Sequence, residues 1–249
     1  MKGILNFFQR LGRWCEKTNR VRSLRGTPGA RLKPGHIDSL EILQNLRDRK
    51  IRVIYDIGAN RGTWTLLARS IFPDAEIIAF EPLTGHVEEF KRNTGNLKKI
   101  RIFETCLGSK PGKALIQITN FSDAASLLTP SRKGIKEWSL RVEKQKKVNL
   151  TTLDLLLRSR QIPIPDLIKM DVQGYEMEVL KGSTGLLAKK TPLLLLEVSF
   201  EKVYSNQPLF SDVVQYLSKK GFQIKSFGKG LSPGIKAKQI DVLFEKVKK

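Results

Sequence analysis

Four carboxylates stand at the ends of short apolar runs: Asp56 after Val53-Ile54-Tyr55, Glu81 after Ile77-Ile78-Ala79-Phe80, Asp171 after Leu167-Ile168-Lys169-Met170, and Glu197 after Leu193-Leu194-Leu195-Leu196. Such runs read as buried strands of a parallel sheet. Acids at their ends would gather on one rim, where ligands bind in open α/β sheets. One acid at a strand end is usually a cap; four on a rim are better explained by a site.

Asp56 leads into Ile57-Gly58-Ala59-Asn60-Arg61-Gly62-Thr63-Trp64, a glycine turn that opens a helix. Glycines at 58 and 62 allow sharp bending and close approach to a small ligand. Glu81 ends the next apolar run, where a carboxylate can hold the two hydroxyls of a ribose. A dinucleotide fold would want G-x-G-x-x-G so that amides face a pyrophosphate. Here Asn60 stands where the middle glycine would be, and Asp56 would repel a pyrophosphate. The turn suits a nucleoside cofactor with a cationic end, such as S-adenosyl-L-methionine. The bland alternative, a loop with Asp56 as a helix cap, leaves Glu81 unexplained.

These residues need a scaffold. Strand one ends at Asp56 and its helix runs to about Phe72; strand two ends at Glu81; strand three spans 100–107. Strand and helix alternating at this spacing imply a parallel sheet with helices on its faces. Residues 108–150 break the alternation, and two strand-like stretches (114–119 and 141–150) read as a β-hairpin insertion carrying a polar loop. That loop either covers the site or is a surface feature. Further on come a short helix at 152–158, a strand at 166–171, a helix at 175–187 and a strand at 192–197. A helix at 212–219 and strands at 222–227 and 240–244 complete the order.

Residues 1–35 form a basic leader. Ile4, Leu5, Phe7, Phe8, Leu11, Trp14 and Cys15 recur at helical spacing among Lys2, Arg10, Arg13 and Lys17. This is a membrane-surface helix or a helix packed on the domain or on a second subunit. Arg20, Arg22, Arg25, Arg31 and Lys33 then run through glycines and prolines as a flexible basic linker. Residues 36–249 are the main domain, opening with helical spacing at 37–46.

The 249 residues suffice for one large α/β domain with a substantial core. With 40% apolar and 28% charged residues the composition is globular. Lys plus Arg number 45 against 24 Asp plus Glu, a net charge of +21 that attracts polyanions without naming one. Two cysteines without a CxxC and two histidines argue against a zinc site, so no metal is expected. Cysteine usage fits a reducing, cytoplasmic compartment. No apolar run is long enough to span a bilayer, and Arg10 and Arg13 interrupt the N-terminus too early for a signal peptide.

The ordered set resembles the FkbM family of S-adenosylmethionine-dependent methyltransferases over about 51–245. It comprises Asp-Ile-Gly-Ala-Asn-Arg-Gly, Phe80-Glu81-Pro82, Ser126-Leu127-Leu128, the run from Leu167 through Asp171-Val172-Gln173-Gly174-Tyr175-Glu176 with Val179-Leu180-Lys181-Gly182, and Leu195-Leu196-Glu197. The resemblance implies a Rossmann-like class I methyltransferase fold: a seven-stranded, mostly parallel sheet with the last strand antiparallel and helices on both faces. It implies O-methylation of a hydroxyl on a sugar, a glycan or lipid, or another small natural product. Carried over, Asp56, Gly58, Asn60 and Gly62 line the methionine end of the cofactor, Glu81 takes the ribose, Cys106 and Leu107 lie beside the adenine, and Ala59, Trp64, Pro82 and Asp171 are further cofactor contacts. Asp171 sits nearest the transferred methyl as base or orienting group, with Lys169, Glu176 and Glu197 as second candidates. One departure is Gln173, where many members carry glutamate. A neutral amide is neither a base nor a strong ligand for a hard cation, so a Mg²⁺-assisted mechanism is disfavoured.

Two other readings stay open. The charge suits an RNA ribose methyltransferase, although base-methylating motifs are absent at Asp171-Val172-Gln173-Gly174. Alternatively, a non-catalytic module keeps the cofactor fold and docks on an anionic membrane or glycan surface through residues 1–25. The acceptor itself and the oligomeric state are not written in the sequence.

Overall fold

Ten strands form among the described residues: β1 Val53–Ile57, β2 Glu76–Phe80, β3 Ile100–Phe103, β4 Cys106–Leu107, β5 Gly112–Thr119, β6 Val142–Thr151, β7 Leu167–Met170, β8 Leu193–Ser199, β9 Phe222–Phe227 and β10 Gln239–Lys246. Seven of them make the main sheet in the order β3-β2-β1-β7-β8-β10-β9. The first five pair in parallel, and β10 is antiparallel to both β8 and β9. This computed structural model describes residues 18–33, 36–189, 193–228 and 238–247. The leader helix expected over residues 1–17 and most of the basic loop before β10 lie outside them.

Period-two alternation in the strands gives the sheet two apolar faces. Ile54, Ile77, Leu167, Leu193 and Leu195 share one face with the helices Leu40–Asn45 and Thr63–Ile71. Tyr55, Ile78, Phe80, Ile168, Leu194 and Leu196 share the other with the helices Leu153–Arg158, Glu176–Lys181, Thr184–Lys189 and Phe210–Lys219. Each fully buried Leu or Ile there contributes roughly 1.5–3 kcal/mol of hydrophobic burial. The order reverses between β1 and β7: the chain leaves β1 toward β2 and β3, then returns to β1's other side. A crevice opens at that point, at the strands' C-terminal ends.

Several boundaries differ from the sequence reading. The strand expected over 100–107 is two strands. After Phe103 the chain leaves the main sheet, and Cys106–Leu107 pairs with Leu150 and Thr151 in a second, three-stranded sheet of order β4-β6-β5. The hairpin insertion forms as β5 and β6, but the segment between them also carries a helix, Arg132–Trp138, whose N-cap Ser131 accepts a bond from the Gly134 amide at 3.0 Å. The helix expected over 175–187 breaks at Gly182 and Ser183. A Cβ at Gly182 would lie 1.9 Å from the Gly108 carbonyl oxygen, and the Asp154 carboxylate caps the second helix through the Gly185 and Leu186 amides. Strand β8 runs two residues beyond Glu197, so that acid sits within the strand rather than at its end.

The stretch 20–33, expected as a flexible linker, is packed. Leu24 and Leu32 are buried, Arg20 pairs with Glu41 at 2.6 Å, and the Gly29 amide donates to Ser70 at 2.7 Å. Its arginines suggested a solvated run; its two leucines supply the apolar anchors. Among the described residues no helix is long and apolar enough to cross a membrane.

Candidate active site

The rim of the sheet encloses a cavity of about 470 Å³, and Asp56, Glu81, Asp171 and Glu197 all line it. Parallel register puts Asp56 of β1 beside Lys169 of β7. Antiparallel register puts Glu197 of β8 beside Asp241 of β10. Neighbours in register point to the same face, so these four charged groups crowd together above the Leu40–Asn45 helix.

The turn after β1 is shaped for close approach. Gly58 has φ 81°, and a Cβ there would lie 1.9 Å from the Asp171 carbonyl oxygen. Only glycine lets the ends of β1 and β7 meet this closely. Asn60 also takes the left-handed region, with φ 49°. Gly62 serves packing instead: its Cβ position is 2.9 Å from the Phe90 ring, and it does not line the cavity. Ala59 and Trp64 do line it.

Glu81 lies just past β2 with its carboxylate clamped. One oxygen accepts from the Asn60 amide and the other from the Leu83 amide, each at 3.0 Å, and His86 Nδ1 lies 3.4 Å away. Pro82, Cys106 and Leu107 continue the wall. Burial, with a lesser push from Glu81, raises the Cys106 thiol to about 12, so it is an inert wall group and not a nucleophile. Asp56 is almost fully buried and accepts from Thr65 Oγ1 at 2.5 Å. Burial pushes its pKa up to about 6, against the Thr65 bond and the Lys169 charge.

Asp171, just past β7, is the more exposed acid, and Gln173 Nε2 donates to its Oδ1 at 2.8 Å. The same nitrogen lies 3.3 Å from Glu197 Oε2. The Gln173 amide thus stands between two carboxylates and bonds both, a neutral donor where a third acid would repel them. Burial, and next the charge of Asp171, raises the Glu197 pKa. Lys169 Nζ lies 3.6 Å from Asp171 and 3.2 Å from Asp241. Burial opposes the lysine's charge, but Asp241, Asp171 and Glu197 outweigh it and raise its pKa. Glu176 faces away from the cavity: it accepts from the Val172 and Gly174 amides at 3.0 and 3.2 Å and fixes the loop that carries Asp171 and Gln173.

The loop between β5 and β6 closes over this rim. Ser122, Asp123, Ala125, Ser126 and Leu127 line the cavity. Ser126 Oγ donates to the Gln173 carbonyl at 2.7 Å, and the Tyr204 hydroxyl sits 3.2 Å from Gln173 Oε1 and 3.0 Å from the Ala124 carbonyl. Asn60 Nδ2 reaches the Ser122 carbonyl at 3.4 Å.

The sequence reading missed one wall altogether. His36, Asp38 and Ser39 before β1 and Asp241 on β10 line the cavity. Ser39 Oγ donates to Asp241 Oδ2 at 2.5 Å and accepts from Trp64 Nε1 at 3.2 Å. The available signal was Asp241 itself, a lone acid among Ile240, Val242, Leu243 and Phe244. Among the described residues no group of three or more His, Cys, Asp or Glu is placed to hold a metal ion.

The family described as Methyltransferase FkbM domain matches residues 56–224. The 2-O-methyltransferase NoeI of Sinorhizobium fredii is 26% identical over 170 residues, 66% of this chain and 70% of that protein. The hexuronic acid methyltransferase AglP of Haloferax volcanii is 28% identical over 138 residues, 54% of this chain. The chain spans about half of AglP's length (51%). The crystal structure of methyltransferase FkbM from Methylobacillus flagellatus KT superposes with a TM-score of 0.53 at 13% identity, over 92% of this chain and 59% of that one. At that identity the likeness is one of fold.

Proposed function

Because the chain belongs to the FkbM methyltransferase domain family, we propose that it transfers the methyl group of S-adenosyl-L-methionine to a hydroxyl of a sugar or sugar-bearing small molecule. The observation that carries the reading is the cavity in which Asp56, Glu81 and Asp171 meet around the glycine turn. The residues present fit the cofactor. Asp56 offers negative charge to a cationic end, the clamped Glu81 offers oxygens to vicinal hydroxyls, and Cys106 with Leu107 offers an apolar wall to a base. When bound, the cofactor supplies a methyl group on a sulfonium, whose C–S bond breaks as the bond to the acceptor oxygen forms.

The chain's own residues do the rest. Asp171 keeps one oxygen on the Gln173 amide and turns the other toward Lys169, 3.6 Å away, so its carboxylate is oriented and its charge countered. We assign it to accept the acceptor hydroxyl's proton or to aim that hydroxyl. A positioned base typically contributes 10²–10⁴-fold. Glu176 holds the loop beneath Asp171, and the β5–β6 loop, tied down through Ser126 and Tyr204, shields the rim from water. Alignment of two bound reactants contributes ~7–11 kcal/mol in such sites. NoeI and AglP are named for methyl transfer to a 2-hydroxyl and to a hexuronic acid, which supports a sugar-class acceptor.

The test has two parts. Calorimetric titration with S-adenosyl-L-methionine should show one site, lost in Asp56→Ala. Label should pass from methyl-labelled cofactor to a glycan or lipid extract, and that transfer should fail in Asp171→Ala. Binding that survives Asp56→Ala would move the cofactor elsewhere. Binding without any transfer would favour a non-catalytic module.

A further inference from the structure

The cavity gathers more acidic side chains than a cationic methyl donor needs. Asp56 and Glu81 flank the glycine turn, and Asp171 lines the cavity with them. Beside Asp56 the lining adds Asp38, Glu197 and Asp241, with Lys169 as the one buried cation among the described lining residues, and this group makes up the other half of the lining. The linkage is continuous. Asp38 feels the charge of Asp241, Asp241 binds Lys169 at 3.2 Å, and Lys169 reaches Asp171 at 3.6 Å. The sign is opposite to that of the whole chain, which carries +21. A basic exterior draws anions toward the molecule over long range, while this half of the cavity repels them at contact distance.

Three of these residues, Asp38, Ser39 and Asp241, also lie outside the stretch 56–224 that matches the family. They are built on the segment before β1 and on the last strand of the main sheet. Trp64 links them to the glycine turn through Ser39 at 3.2 Å.

Resting on the methyltransferase reading, we infer that this half of the cavity is the acceptor subsite and that it selects a sugar without a carboxylate, phosphate or sulfate near the reacting hydroxyl, favouring one that bears an amine. Hydroxyls of a sugar ring find acceptors in Asp38, Glu197 and Asp241 and donors in Lys169 and Gln173. An amine gains a carboxylate partner. An anionic group would meet carboxylates with one committed lysine, and like-charge juxtaposition is the usual means by which a site rejects a competitor. AglP is named for a hexuronic acid; this chain should discriminate against that class.

The experiment uses the full chain with methyl-labelled S-adenosyl-L-methionine and methyl glycosides of the gluco, galacto and manno series, each as amino sugar, neutral sugar and uronate. Cofactor affinity is measured in parallel by calorimetry. In the best-accepted series, transfer to the amino or neutral sugar should exceed transfer to the uronate by about tenfold or more, as expected for a like-charge mismatch. Asp38 is exposed, so Asp38→Lys should fold; it should narrow or invert that ratio with cofactor affinity unchanged. Transfer that is equal across the three forms, greatest for the uronate, or absent from all nine while cofactor binds, overturns the inference. So does a ratio untouched by Asp38→Lys. Failure of the wild-type chain to bind cofactor would instead remove the methyltransferase reading and this inference with it.

Discussion

Lys169 and Asp241 form a buried ion pair at 3.2 Å across strands that are not neighbours: β7 carries the lysine, β10 the aspartate, and β8 runs between them. The pair spans the sheet above Leu195, the register partner of Lys169. It ties the chain's last strand to the strand that carries the candidate base.

Lys169→Met should destabilise the fold by about 3–5 kcal/mol, because it leaves Asp241 charged and buried without its cation. Denaturant unfolding measures this. The double variant Lys169→Met with Asp241→Leu should regain much of that stability, since an apolar pair often replaces a buried ion pair without loss. Methyl transfer should not return, because Asp171 would still lack its countercharge. Recovery of both would reduce Lys169 to a structural role.

Cofactor affinity should depend on pH through Asp56. Its folded pKa is about 6, raised chiefly by burial. Below that pH the carboxyl is neutral and no longer attracts a cationic ligand. Affinity should therefore weaken as pH falls through about 6, by up to roughly tenfold per pH unit. Binding a cation should also release protons near pH 6, visible by calorimetry in buffers of different ionisation enthalpy. A flat affinity between pH 5 and 7.5 would contradict it.

Glu176 should make stability fall as pH rises. Burial lifts its folded pKa to about 7, against the ordinary 4.5, despite its backbone bonds. The folded state therefore holds this proton more tightly than the unfolded chain. The stabilisation is fully present below 4.5 and is lost as pH rises toward 7, at a slope of up to roughly 1.4 kcal/mol per pH unit. Glu176→Gln should remove that slope in unfolding measured from pH 4.5 to 8. An unchanged slope would assign it to other groups.

Gln173→Glu should turn a neutral bridge into a third carboxylate beside Asp171 and Glu197. Its present Nε2 bonds to both acids would be replaced by repulsion. The variant should lose stability, and added Mg²⁺ should restore part of it, whereas the wild-type chain's melting temperature and transfer rate should not respond to Mg²⁺ or to a chelator. Thermal melts with and without the ion check this.

Much of the sheet was legible because its signals are local. An apolar strand, a glycine turn at Gly58 and an acid at Asp56 or Glu81 follow one another within a few residues, and period and turn chemistry act at that range. The split after Phe103 was not legible. Whether Cys106 continues β3 or crosses to β6 depends on a partner more than 40 residues away, since Cys106 pairs with Leu150. The break at Gly182 was hidden for the same reason: what forbids a side chain there is the carbonyl of Gly108, a neighbour in space alone.

The sequence by itself determined that four acids would face one ligand edge, because alternation and strand direction follow from local pattern. Only the tertiary structure decided what the residues around them do. Glu176 turned to backbone amides, Gly62 to the Phe90 ring, and Gln173 to a bridge between two acids. It also brought Asp38, Ser39 and Asp241 from the two ends of the chain into one wall. Burial, charge pairing and close approach depend on residues distant in sequence, and no local pattern carries them.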